Sequence, residues 1–117
     1  MTQKEMVYTP LGKQDVLFYG EMYGLKCAII NYGTHPCSYI NIEGTFYDSF
    51  GYDSIPLNVH GGLTFEGELF GTDGWVGWDY NQMNDYNPFK QCGKKWSTEE
   101  LIQELRKACK QYAQLAM

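Results

Sequence analysis

Chemistry along this chain concentrates in residues 59–85, VHGGLTFEGELFGTDGWVGWDYNQMND. His60 stands directly before Gly61 and Gly62. Paired glycines let a backbone turn tightly or approach another group closely, and an imidazole at such a turn suits a phosphate contact or general-base work. Asp79 and Asp85 follow the second apolar segment of the stretch. With His60 they make two carboxylates and one imidazole, a set that suits water activation in a small hydrolase but is short of a metal's usual ligand count. Thr64, Trp75, Trp78 and, upstream, Tyr52 complete the candidate ligand-binding set with His60, Gly61, Gly62, Asp79 and Asp85. The rings offer a stacking surface to a flat ligand.

Other chemistries find little support. Cys27, His35 and Cys37, with Cys92 elsewhere, lack CxxC-type spacing, and Cys109 falls on an apolar helical stripe. No metal or other cofactor is therefore expected. Neither a Gly-rich phosphate loop nor a Gly-x-Ser-x-Gly nucleophile motif occurs.

These residues need a scaffold. Alternation around Leu63-Thr64-Phe65 and Trp75-Val76-Gly77-Trp78 predicts two strands, with the aromatics on one face and a turn at Gly71-Thr72-Asp73-Gly74. Upstream, Val16-Leu17-Phe18-Tyr19 reads as a short strand ended by Gly20. Residues 25–30 and 36–42 read as a pair joined by Asn31-Tyr32-Gly33-Thr34. Thr9-Pro10-Leu11-Gly12 and Glu43-Gly44-Thr45 are turn signals. Residues 46–57, FYDSFGYDSIPL, read as an ordered loop packed by its own rings, and residues 86–96 as a second loop.

A helix follows. Ser97 with Glu100 three residues on forms a capping box, and Trp96 and Leu101 have the spacing of a hydrophobic staple. Leu101, Leu105, Ala108, Tyr112 and Leu115 keep helical spacing, and Arg106, Lys107 and Lys110 are expected late in the helix. Residues 1–117 are thus expected to form a single α+β domain: a small antiparallel sheet of about five strands packed by one C-terminal helix.

The motifs Val59-His60-Gly61-Gly62-Leu63-Thr64-Phe65 and Gly74-Trp75-Val76-Gly77-Trp78-Asp79-Tyr80 resemble an uncharacterised family of small phage and prophage proteins. That family's pattern reads roughly VHGGLTY, a variable gap, then WWIGFDCAHAGD. The Cys37-Ser38-Tyr39-Ile40 strand and the closing helix also follow its layout. The resemblance implies a phage origin and no settled activity. The chain departs from the pattern at Gln82, where the family has its second histidine.

The formal charge of −5 argues against a direct nucleic-acid-binding surface, which needs clustered cations. It permits an acidic protein that occupies the basic groove of a nuclease. No apolar run approaches the roughly 20 residues of a membrane helix, and residues 1–13 show no signal region, so a cytoplasmic protein with reduced cysteines is expected. Aromatic content of 16% suits contact surfaces as well as cores.

Three expectations follow. The first is a phage counter-defence binding protein that sequesters a nucleotide immune signal, with a homo-oligomer as a natural form. The second is an anti-CRISPR-like inhibitor of a host nuclease or other defence protein. The third, ranked last, is a small hydrolase using His60, Asp79 and Asp85.

Overall fold

The computed structural model describes residues 5–9, 12–32, 35–82, 85–86 and 92–116. Six strands, β1 (Glu5–Thr9), β2 (Gly12–Met22), β3 (Leu25–Asn31), β4 (Pro36–Asn41), β5 (Phe65–Leu69) and β6 (Thr72–Asp79), form one sheet. Their order is β1-β2-β3-β4-β6-β5, and every pairing is antiparallel. Two short 3₁₀ turns, Phe46–Ser49 and Tyr52–Ser54, lie between β4 and β5, and helix α1 spans Thr98–Leu115. The architecture is the expected α+β arrangement, with one strand beyond the count of about five. Turns expected at residues 9–12 and 31–34, and the loop at 86–96, fall partly outside the described residues.

The helix covers one face of the sheet. Leu101, Leu105, Ala108, Cys109 and Tyr112 pack against Phe18, Cys27, Ile29, Ile40, Val76 and Trp78, and Ile55, Leu57 and Val59 close the side. Burial of this stripe, at about 2 kcal/mol for each large apolar side chain, holds the helix far more firmly than propensity does. Its start is fixed as predicted: Ser97 Oγ accepts from the Glu100 N–H at 3.1 Å, and Glu100 Oε1 accepts from the Ser97 N–H at 3.0 Å. Arg106, Lys107 and Lys110 are not in its last turn, because the helix continues to Leu115.

The opposite face carries a second cluster of Ala28, Ile30, Cys37, Tyr39 and Trp75, flanked by Tyr32, Phe65, Leu69 and Phe70. The sheet coils over this cluster. Tyr19 on β2 meets Phe70, in the turn between β5 and β6, edge-on at 4.8 Å between ring centroids, although three strand spacings of about 4.8 Å separate β2 from β6 in a flat sheet.

Three local expectations need correction. Trp75 and Trp78 do not share a face: three residues apart in a strand, they point to opposite sides, Trp75 into the second cluster and Trp78 toward the helix. The β5–β6 reversal occurs at Phe70-Gly71, both with positive φ (54° and 78°), while Thr72, Asp73 and Gly74 already belong to β6. Tyr23-Gly24 repeats this two-residue turn between β2 and β3, with φ of 53° and 78°. Finally, β2 runs through Gly20 instead of ending there. The Phe18 ring lies over Gly20, so close that a Cβ at Gly20 would meet it at 2.9 Å. Among the described residues no helix is long and apolar enough to cross a membrane.

Candidate functional site

Three segments converge at one corner of the sheet: the turn before β5, the turn after β6 and the approach to α1. In the first, the Gly62 N–H donates to the Val59 carbonyl at 3.0 Å, closing a turn that holds His60. Gly61 and Gly62 take φ of +69° and +81° there, so the predicted need for glycine is a need for left-handed backbone. Gly61 also meets the second segment. A Cβ on it would lie 2.6 Å from the Gln82 side chain.

The second segment supplies Asp85, whose side chain is 2% exposed. Its Oδ2 lies 2.7 Å from His60 Nε2 and accepts from the Gln82 N–H at 2.9 Å, and its Oδ1 accepts from the Trp96 indole N–H at 2.9 Å. Burial by itself raises the Asp85 pKa, but these three hydrogen bonds outweigh it and hold the carboxyl below the usual carboxylate range.

The imidazole is fixed by rings as well as by charge. Tyr80 stacks on it at 5.0 Å with the planes 9° apart, and Trp96 presents an edge at 5.1 Å. The Tyr80 hydroxyl accepts from the Trp78 indole N–H at 3.0 Å and donates to Glu104 on α1. Burial and the neighbouring Glu104 push the Tyr80 phenol well above its ordinary range, so it remains a donor. Tyr80, just after β6, and Trp96, just before α1, thus hold the ring, and Trp78 of β6 and Glu104 of α1 hold Tyr80.

With Nε2 committed to Asp85, Nδ1 of His60 has no hydrogen-bond partner among the described residues. His60 lines a groove of about 440 Å³ with Val59, Glu104, Lys107 and Gln111. A neighbouring groove of about 640 Å³, lined by Trp96, Ser97, Glu99, Glu100, Gln103 and Arg106, shares Glu104 and Lys107 with it. Both volumes fall in the range of small-ligand sites. The Asp85 carboxylate favours the tautomer with hydrogen on Nε2, which leaves Nδ1 as an acceptor. A second proton on the ring turns Nδ1 into a donor.

Of the residues singled out from sequence, the structure joins His60 and Asp85 directly and places Gly61 and Gly62 beside them. Asp79 is not part of the dyad. Its Oδ1 accepts from the Asn81 N–H and from Gln82 Nε2, at 3.1 and 2.9 Å, and its Oδ2 accepts from Thr64 Oγ1 at 3.1 Å. Asp79 and Thr64 therefore tie the two turns together. Trp75 and Trp78 are buried in the core on opposite faces, and neither ring presents a free face for stacking. Tyr52 is half-buried against the helix-side core. Among the described residues no three histidine, cysteine or carboxylate side chains converge as metal ligands.

Sequence reasoning passed over Tyr80, Trp96, Glu104 and Lys107 as site residues. Trp96 was visible as a staple candidate, and Lys107 as one of the helix cations. Nothing in an eleven-residue separation announces that an indole N–H will reach Asp85. Gln82, which stands at the histidine position of the resembling pattern, turns its amide to Asp79. Comparison of the chain with protein-family models, with curated proteins and with solved structures finds no match.

Proposed function

We propose that this chain is a binding protein that holds a small nucleotide-like anion at the His60 groove. In the phage setting its motifs suggest, it sequesters a nucleotide immune signal. The observation that carries this reading is the His60–Asp85 contact at 2.7 Å. It fixes the ring through one nitrogen and leaves the other for a ligand, beside a groove that also holds Lys107. Nδ1 meets a ligand hydroxyl or amine as acceptor, or a phosphate oxygen when the ring carries a second proton. Lys107 supplies charge, and half-buried Trp96, on the adjoining groove, replaces Trp75 and Trp78 as the ring nearest a base.

The test is thermal unfolding against a panel of cyclic mono- and dinucleotides and ADP-ribose derivatives. A ligand at 100 times its Kd stabilises the fold by about 2.7 kcal/mol, a rise on the order of 10 °C for a domain of about 100 residues. His60→Gln and Lys107→Ala should each reduce the shift. A panel that moves no melting temperature overturns the reading.

The same 2.7 Å contact supports a second reading, a small hydrolase in which Asp85 orients His60 and Nδ1 takes a proton. Here the bound nucleotide is recovered chemically altered, and His60→Gln abolishes turnover while binding survives. Recovery of intact ligand, with binding lost in the variant, returns the case to sequestration.

A further inference from the structure

The aromatic loop after β4 packs its rings on one another, as expected, and half-buries Tyr47 and Tyr52 against the core, but it holds two of its rings outward. Phe46 is 64% exposed and Phe50 42%, yet the turn that carries them is firmly tied. The Gly44 N–H donates to Asp48 Oδ2 at 2.8 Å, Thr45 Oγ1 donates to the Ile42 carbonyl and bonds the Tyr112 hydroxyl, and the Phe50 N–H donates to the Tyr47 carbonyl at 3.1 Å. Tyr47 is the anchor. It meets Phe46 and Phe50 edge-on at 4.9 and 5.6 Å and rests on Tyr112 of α1. Two phenylalanines held outward on a braced turn form an apolar patch whose contact with a partner requires little further ordering.

Charge selects the partner. Beside Phe50 lies a cleft of about 170 Å³ to which three separate elements deliver a carboxylate: Asp48 from the first 3₁₀ turn, Glu66 from β5 and Asp73 from β6. Among the described residues no lysine or arginine lines it. Its volume is below the roughly 300–1,000 Å³ of small-molecule sites and suits a single long side chain. A guanidinium fits it by chemistry, because it bonds carboxylates in a planar fork and stacks on an aromatic face.

The geometry points to a protein-docking surface, distinct from the His60 groove, that takes a basic segment of a partner protein. The arginine of that segment enters the Asp48–Glu66–Asp73 cleft, and a neighbouring apolar side chain packs on Phe46 and Phe50.

The probe is a short peptide of alternating arginine and leucine, with a glutamate–leucine peptide as control, titrated into the full chain while backbone amide shifts are followed by NMR. The arginine peptide should shift the amides of Phe46, Phe50, Glu66 and Asp73, and the control should not. Affinity should fall steeply between about 0.1 M and about 1 M salt, as the Debye length shrinks from about 10 to about 3 Å. Phe46→Ser with Phe50→Ser, both exposed and so compatible with the fold, should weaken binding by about tenfold or more. Glu66→Gln with Asp73→Asn should weaken it and flatten its salt dependence. Equal binding of both peptides, shifts centred elsewhere, no shifts at all, or full affinity in the double-serine variant overturns the proposal.

Discussion

The Asp85 carboxylate sits 2.7 Å from Nε2 of His60, is 2% exposed, and accepts two further hydrogen bonds, from the Trp96 indole and the Gln82 N–H. One side chain therefore closes the corner where the turn before β5, the turn after β6 and the approach to α1 meet. Its removal costs structure as well as any ligand contact.

Asp85→Asn is expected to destabilise the protein by about 1–3 kcal/mol near neutral pH, since an amide offers one acceptor oxygen to three partly buried donors. The carboxyl pKa is depressed in the fold relative to an unfolded value of about 3.9. The Asp85 contribution is therefore complete above that value and disappears as pH falls through the folded pKa. Urea unfolding from pH 7 down to about pH 2 should show a loss of stability below about pH 4 that is smaller in Asp85→Asn. An identical acid profile in both proteins would show that this carboxylate does not hold the corner.

Gly61 and Gly62 separate backbone strain from crowding. Both have positive φ, but a Cβ at Gly62 meets open space, whereas one at Gly61 meets the Gln82 side chain at 2.6 Å. Gly62→Ala is expected to cost the left-handed penalty alone, about 1–2 kcal/mol. Gly61→Ala should cost about 1 kcal/mol more, with part of the excess recovered in a Gly61→Ala, Gln82→Ala double variant. Equal costs at both glycines would argue against the close approach.

The two matching turns give a stabilising substitution and its control. Tyr23 holds φ of 53° while 52% exposed, a conformation asparagine tolerates far better. Tyr23→Asn should raise stability by about 0.5–1 kcal/mol. Phe70 has the same backbone, but its ring packs on Tyr19 and Trp75 at 4.8 and 5.5 Å. Phe70→Asn should therefore lose at least what it gains. Melting temperatures of the two variants decide the matter, and a fall in Tyr23→Asn would point to an unrecognised contact of that ring.

Local signals in the sequence determined the helix start, the glycine turn at His60 and the α+β class. The capping box at Ser97 and Glu100 needs only four residues and forms as read. The left-handed conformations at Gly61 and Gly62 follow from the absence of a Cβ. The alternation that marks a strand also says that one residue faces opposite to the next, but it does not say what covers each face. Trp75 and Trp78 therefore passed as a stacking pair until the tertiary structure placed one against α1 and the other within the coiled sheet.

The contact of His60 with Asp85 was likewise decided only in three dimensions. The two residues are 25 positions apart, and their meeting depends on where the β5–β6 hairpin turns and on how α1 brings Trp96 to the same carboxylate. A sequence names donors and acceptors, and local rules settle those whose partners lie within a turn. Partners delivered by separate elements are fixed by packing of the whole core, because a buried carboxylate persists only where several donors arrive together.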